Sequence, residues 1–437
     1  MTIIPIGASG EVTGSCFYCE TQEKKFLVDF GLYQGPDALK KNKEPLPFDA
    51  KELDFVIVTH AHMDHSGRLP LLVKEGFKGK IFLSPLSKEL IELLLMDSAS
   101  IQEEQEIPLY TKDDVYDTLA YCYSLEEKEH QEGDITFSFY ESGHLLGSRF
   151  VTIKYDKKTY TFSGDIGRQE SLLYKRPQNR PYSDVLITEG TYGGSLHPPY
   201  LKAIGSLYEA IMMAFKKGHT VIIPAFSIGR TAEVIYALSR HAHLKKDTSN
   251  FLQMPIYMDS PMGIEALELY QKNLQGLKDD LNPEFFKPDN LKILDAKGSF
   301  ALDRDESPKL IISSSGMVEG GHIIHHLEAF LPKNTTTVIF VGFQEASTRG
   351  RKIQKGEMMI DFPNGQIHNN ANILTIGGFS GHGDCNDLLE WIETSPRPKE
   401  LFLNHGEPET LEHFKKDLNQ LGYNVHVLEK MKPLSEY

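Results

Sequence analysis

Residues 55–67 read FVIVTHAHMDHSG: an apolar run closed by His60, His62, Asp64 and His65 within six positions. The run FVIV has the texture of a buried strand, and Gly67 marks the turn that follows it. Alternate residues of an extended segment project to one side, so His60 and His62 can reach a common ion. Where the chain turns, Asp64 and His65 can face a second ion. Imidazole nitrogen with carboxylate oxygen suits Zn²⁺, and Mn²⁺ or Fe would accept a similar set. A polar turn at a strand end is the bland alternative, but three histidines and an aspartate so close rarely arise that way.

Upstream, TIIPIGAS, FYCE and KKFLVDFG alternate as short strands separated by glycine turns. Asp29, at the end of FLVDF, is either a hydrogen-bond partner for a ligating histidine or the cap of a turn. Downstream, SGRLPLLVKE (Ser66–Glu75) reads as a helix, Lys88 to about Glu129 is mainly helical, and strands return in ITFSFY, FVTIKY, TYTFS and VLITEG. His144 in SGHLLGS, Asp165 in SGDIG and His405 in LNHGE each sit beside glycine, which permits a tight turn and close backbone approach. Taken singly, such residues are more often structural than ligands.

Beyond about Pro198 strands and helices alternate: HTVIIPAF, MPIYMDS, KLIISSSG and TTVIFVG are strand-like, with helical segments between. Strands tipped by small or polar residues suit a sheet that binds ligand at its carboxyl edge. Ser313, Ser314 and Ser315, followed by Gly316, offer hydroxyls and backbone N–H groups suited to phosphate. Arg230 opens a helix and could add a charged contact there; Arg349 and Ser380 are further candidates. His325 and His326 fall inside an apparent helix and read as packing or cleft-wall residues.

The 437 residues are 40% hydrophobic and 24% charged, the balance of a soluble globular protein with room for more than one domain. Four cysteines in a chain this long make no disulfide framework and fit a reduced compartment. The opening MTIIPIGASGEVTGS has neither the basic start nor the apolar run of a secretory signal, and no stretch reaches bilayer length. The expectation is therefore a cytoplasmic protein with no membrane association. A formal net charge of -15 argues against broad nonspecific binding to nucleic acid, while leaving room for a local basic groove.

The HxHxDH stretch followed by separate His, Asp and His positions resembles the metallo-β-lactamase superfamily. That resemblance implies an αββα sandwich with a dinuclear centre at one edge. His60, His62 and His144 would hold one zinc; Asp64, His65 and His405 the second; Asp165 would bridge them. A sharper resemblance is to the β-CASP nucleases, the RNA-processing branch in which an α/β domain is inserted into that fold. It rests on Glu189 in TEGTYGG, His382 in FSGHGD, His405 in NHGE, and the segments IPAFSIGRTAEV, MDSPMG and SSSGMVEGG. Gly381 stands where relatives often carry alanine, a small-for-small change.

The implied organisation is 1–197 for the first part of the metallo-β-lactamase domain, 198–365 for the β-CASP insert and 366–437 for the returning part. The implied activity is zinc-dependent hydrolysis of single-stranded RNA with two Zn²⁺ per chain, His382 as general acid and Glu189 orienting it, beside Asp64 in the catalytic set. Presence of His405 favours RNA, because the DNA-repair branch generally replaces that ligand. No nucleotide cofactor is expected, and a homodimer is one assembly the chain could form. The chain resembles the compact bacterial members, without the RNA-binding extension of archaeal relatives. Two rivals are a small-molecule hydrolase of the same fold and a noncatalytic RNA-binding scaffold subunit.

Overall fold

Strands supply the frame of both halves of the chain. The computed structural model describes residues 1–437 except Pro36, Glu104, Gln105, Glu127, Asp295 and Ala346. It divides into two units, Met1–Leu196 with Gly381–Tyr437, and His197–Ser380. The architecture is mixed α/β with several sheets, as expected.

The first unit is built on two sheets. One has six strands in the order Thr2–Gly7, Cys16–Glu20, Lys25–Val28, Phe55–Ile57, Lys80–Leu83, Cys122–Ser124. The first three are antiparallel and the rest run parallel. The other has seven, in the order Val425–Val427, Glu400–Asn404, Val185–Glu189, Lys158–Phe162, Arg149–Tyr155, Ile135–Glu141, His130–Glu132.

Period-two burial explains how the sheets meet. In Ile135–Glu141 every second residue is buried, which turns Ile135, Phe137 and Phe139 to one face. They join Phe17, Phe26 and Phe55 of the six-stranded sheet and Phe162, Ile187 and Phe402 of their own in a single core. Each such phenylalanine, fully buried, contributes about 1.5–3 kcal/mol. The opposite face of the seven-stranded sheet, through Phe150, Leu186, Leu401 and Leu403, packs on helices Cys385–Glu393 and Pro408–Gln420. Helix Pro85–Glu103 packs on strand Cys122–Ser124 and on helix Lys112–Ala120. Helices therefore flank the paired sheets.

The second unit has a six-stranded sheet in the order Leu291–Ile293, Ile256–Asp259, Lys309–Ser313, Thr220–Pro224, Thr336–Phe340, Asn372–Thr375. All its pairings are parallel. Three of its four inner strands, Lys309–Ser313, Thr220–Pro224 and Thr336–Phe340, are buried throughout, as strands covered on both faces must be. A hairpin, Met359–Phe362 with Gly365–His368, lies outside this sheet.

Two details differ from the sequence expectation. The strand Asn372–Thr375 pairs with Thr336–Phe340, so the chain stays with the second unit through Ser380 instead of leaving it near residue 365. The apolar run ILTI announces a strand without saying which sheet it joins. The helix expected over Ser66–Glu75 is two short ones, Met63–Ser66 and Leu69–Lys74, so Asp64 and His65 lie on a helical turn. Among the described residues no helix is long and apolar enough to cross a membrane.

Candidate metal centre

The metal-capable side chains of the first unit collect beyond the carboxyl ends of its strands. Asp29 follows Lys25–Val28, and His60 to His65 follow Phe55–Ile57. His144 follows Ile135–Glu141, Asp165 follows Lys158–Phe162, and His405 follows Glu400–Asn404. Strand ends are fixed by the sheet and the following turns are not, so rigid stems carry adaptable tips. The loop bearing the histidines is clamped by backbone bonds from Ser15 to Asp64, Phe30 to His65 and Leu32 to Met63. Gly31 makes that approach possible: a Cβ there would lie 1.6 Å from the Asp64 carbonyl oxygen. Asp29 and His405 both hold left-handed backbone, at φ 59° and 51°, a local strain that the surrounding structure must support.

Seven side chains form two donor groups that share Asp165: His60, His62, His144 with Asp165, and Asp64, His65, His405 with Asp165. In the first group His62 Nδ1 lies 3.2 Å from His60 Nε2 and 3.0 Å from His144 Nε2. Asp165 Oδ2 lies 3.4 Å from His60 Nε2 and 3.5 Å from His144 Nε2. In the second group His65 Nε2 is 3.2 Å from His405 Nε2 and 3.3 Å from Asp165 Oδ1. Asp64 Oδ2 is 3.4 Å from His405 Nε2. The two oxygens of Asp165 thus point one to each group.

Burial tests whether these residues fit a metal. Both Asp165 oxygens are buried and accept no hydrogen bond. An isolated buried carboxylate without donors is expensive, and a cation at each oxygen removes that cost. The histidines of the first group are also in the protonation state that ligation needs, whereas at His65 of the second group Asp165 and Asp29 outweigh burial and raise the pKa well above the ordinary value. Burial, with His60 beside it, pulls His62 down to about 3. Burial lowers His60 as well, aided by His65, and it lowers His144 strongly, aided by His382. Burial alone would raise Asp64 and Asp165, yet the histidines around them hold both well below the usual carboxylate range. Neutral imidazoles beside ionised carboxylates fit zinc.

Supporting groups fix the rings. Asp29 accepts from the Thr59 backbone N–H at 2.7 Å and lies 2.7 Å from His65 Nδ1, which turns Nε2 toward the centre. Of the two roles open to Asp29 in the sequence, this geometry is the histidine partner. Thr59 Oγ1 lies 3.1 Å from His60 Nδ1, and Thr191 Oγ1 3.1 Å from His405 Nδ1. Neither threonine is among the candidates the sequence offers. Thr59 abuts a ligand candidate in sequence, whereas Thr191 is 214 residues from its partner and carries no local signal.

Glu189 and His382 meet beside this centre. His382 Nδ1 is 3.0 Å from Glu189 Oε2, and Glu189 Oε1 accepts from the Ile166 N–H at 2.6 Å. His382 Nε2 lies 3.8 Å from Asp165 Oδ2. Burial opposes a charge on His382, but Glu189 and then Asp165 outweigh it and push the pKa up to about 9. The His382 side chain is 21% exposed and that of Asp64 20%, against 6% or less for His60, His65, His144, Asp165 and His405, so solvent reaches the centre on their side. The helix Cys385–Glu393 that follows is started by a capping box between Asp384 and Asp387, which anchors the His382 loop.

The remaining candidates belong to the second unit. Ser313 ends strand Lys309–Ser313, with Ser314 and Ser315 in the turn beyond it. Arg230 opens helix Arg230–Leu244 and pairs with Glu233 at 2.6 Å. Arg349 donates to the carbonyls of Asp361 and Val318, tying the hairpin to the helix it begins. Ser380 is the last residue of that unit. His325 and His326, which read as packing or cleft-wall residues, are bonded to aspartates. Asp303 lies 23 residues from His326 and Asp259 67, too far for a local pattern to reveal.

Comparison with known proteins agrees with this geometry. Residues 9–225 match the metallo-beta-lactamase superfamily, 231–353 the Beta-Casp domain, and 366–428 the Zn-dependent metallo-hydrolase RNA specificity domain. The chain is 34% identical over 419 residues to ribonuclease TTHA0252 of Thermus thermophilus, covering 94% of both. It is 31% identical over 437 residues to the transcription termination factor FttA of Methanosarcina mazei, covering 93% of this chain and 67% of that one. A crystal structure of a protein of unknown function from Enterococcus faecalis superposes with a TM-score of 0.58 at 14% identity, covering 99% of each chain, which is a likeness of fold.

Proposed function

The chain belongs to the β-CASP family of the metallo-β-lactamase superfamily, and on that premise we propose that it is a zinc-dependent ribonuclease acting on single-stranded RNA. The observation that carries the reading is Asp165, a buried carboxylate with two undonated oxygens, each aimed at its own group of imidazole nitrogens. On this reading His60, His62 and His144 would hold one zinc and Asp64, His65 and His405 a second, with Asp165 offering one oxygen to each group.

Bound there, the ions supply a water of lowered pKa and offset the charge that builds on the nonbridging phosphate oxygens. The chain's own residues supply the rest. Asp29 keeps the Nε2 lone pair of His65 aimed inward. Glu189 accepts a hydrogen bond from the Nδ1–H of His382, which leaves the Nε2–H facing the centre. As the bond between phosphorus and the leaving oxygen breaks, that oxygen's electron pair takes the Nε2 proton, and His382 is left neutral. Glu189 also forms a donor group with Asp165 and His382, but its bonds to the Ile166 N–H and to His382 favour the orienting role over ligation.

In the second unit, the Ser313–Ser315 turn lies at the carboxyl end of a parallel sheet, where open α/β sheets receive ligands. It is the favoured contact for RNA phosphates, with Arg230 and Ser380 secondary. The carbonyl bonds of Arg349 favour a structural role for it. RNA is preferred to DNA because His405 is present and because the relatives' names are those of a ribonuclease and transcription termination factors. A cytoplasmic location and a homodimer complete the proposal; light scattering reads the latter.

The test is cleavage of a single-stranded RNA labelled separately at its 5′ and 3′ ends, beside matched DNA. Wild-type protein of known metal content is compared with Asp64→Ala and His382→Ala. RNA-selective products that disappear in both variants support the proposal, and the label released first separates end attack from internal cutting. No cleavage by fully metallated protein would turn the reading to a small-molecule hydrolase or an RNA-binding subunit.

A further inference from the structure

The second unit carries its own histidine–aspartate cluster, made of residues that take no part in the proposed metal centre. Asp259 ends strand Ile256–Asp259 and is buried. One of its oxygens lies 2.8 Å from His322 Nδ1 and the other 2.7 Å from His326 Nε2. The remaining nitrogen of His326 lies 2.6 Å from Asp303 Oδ1, while His325 Nδ1 lies 2.7 Å from Asp303 Oδ2. Ser299 closes the circuit, bonded to Asp259 and 3.0 Å from His325 Nε2.

Three roles fit such residues. A metal site is disfavoured by the contacts: in the metal centre nitrogens face nitrogens at 3.0 to 3.2 Å, whereas here both His326 nitrogens face carboxylate oxygens at hydrogen-bond distance. Asp259 and Asp303 have their donors, unlike Asp165. A nucleophilic triad is suggested by Ser299, His325 and Asp303, but Ser299 is buried and its hydroxyl donates to Asp259. What remains is a network held by protons. A carboxylate only accepts, so His326, between two of them, must donate from both nitrogens and carry a positive charge.

The network ends on the serine turn. Ser313 Oγ donates to the Asp259 carbonyl at 2.8 Å. Ser314 Oγ donates to Ser260 Oγ at 3.1 Å, and Ser260 also meets Ser227 at 2.8 Å and caps the helix Pro261–Lys272. Asp259 and Ser260 are therefore the corner on which the turn rests, and His326 braces that corner from behind.

We propose that His326, protonated and clamped between Asp259 and Asp303, is a positioning residue that holds the Ser313–Ser315 turn in the form that receives an RNA phosphate. The inference rests on the reading of that turn as a phosphate contact. Burial alone would lower the His326 pKa, but its bonds to Asp259 and Asp303 outweigh burial and raise it. Burial likewise opposes ionisation of Asp259, yet His326, Ser299 and His322 hold it at about 2. The other groups facing the network are His322 and His325 on the same helix and Lys309, which feels Asp303. The sign follows: while Asp259 and Asp303 stay ionised, the brace is complete below the raised pKa of His326 and is lost as pH rises through it.

The test uses the metallated full chain, with steady-state cleavage of a labelled single-stranded RNA by wild type, His326→Gln and Asp303→Asn across neutral and mildly alkaline pH. The expected result is a KM raised about tenfold in both variants, the cost of one charge-assisted hydrogen bond, with kcat changed less than about twofold. The rise of wild-type KM with pH should be absent from His326→Gln. Nitrogen-15 imidazole spectra of the wild-type protein should show both His326 nitrogens protonated at neutral pH, a readout that stands even where a variant does not fold. A neutral His326 ring, an unchanged KM in folded variants, or the loss of a zinc ion from His326→Gln would each overturn the inference. RNA cleavage with wild-type KM in both variants sinks this inference alone; no RNA cleavage by wild type removes the parent reading and this one with it.

Discussion

Two histidine-rich clusters, one in each unit, are built from nearly the same side chains and read alike in sequence. HAHMDH places three histidines in six positions, and HIIHH places three in five. Their atoms are arranged on opposite principles. Around Asp165 imidazole nitrogens converge on one another and on a carboxylate that accepts no hydrogen bond. Around His326 charge alternates, nitrogen against oxygen, down the whole chain of contacts. On the proposed reading, the first arrangement is completed by cations and the second by protons. Histidine density alone does not tell them apart; the pairing of donors and acceptors does.

If that distinction holds, metal removal should separate the two clusters most sharply. Chelation, or Asp165→Asn, should reduce RNA cleavage to background, with zinc restoring the chelated protein only, as followed by product formation on labelled RNA. His382→Ala should lower kcat by about 10²–10⁴ with zinc content unchanged. Because the acid must carry its proton, wild-type kcat should fall as pH rises through the pKa of His382, and a pH profile of the variant should lack that fall. Asp29→Asn, which leaves the ligands in place but loosens His65, should weaken zinc affinity or activity by about 10–100-fold, measured by competition with a chelator. His326→Gln should give the smallest effect, on KM alone, with zinc retained. Equal zinc loss from Asp29→Asn and His326→Gln would erase the distinction.

The sequence made part of this readable. His60, His62, Asp64 and His65 stand out because a strand end and its turn bring them together within a few residues. His144, Asp165 and His405 carry only a neighbouring glycine, and it is the resemblance to the metallo-β-lactamase superfamily that joins them to the set. Asp29 could not be decided, because its partner His65 lies 36 residues away and the choice depends on a side-chain direction. The strands of both units were legible from their apolar runs; the sheet joined by Asn372–Thr375 was not, since parallel pairing is set by contacts distant in sequence. The partners of His326 were not legible for the same reason, its helix being local and its aspartates remote.

The central claim is that cations complete the Asp165 cluster and protons the His326 cluster. Anomalous scattering measured from crystals on either side of the zinc absorption edge tests it directly. The account predicts zinc peaks on both sides of Asp165, within reach of His60, His62 and His144 and of Asp64, His65 and His405, and none beside His326. A zinc peak among Asp259, Asp303 and His326, or no zinc at Asp165 in protein that cleaves RNA, would contradict it.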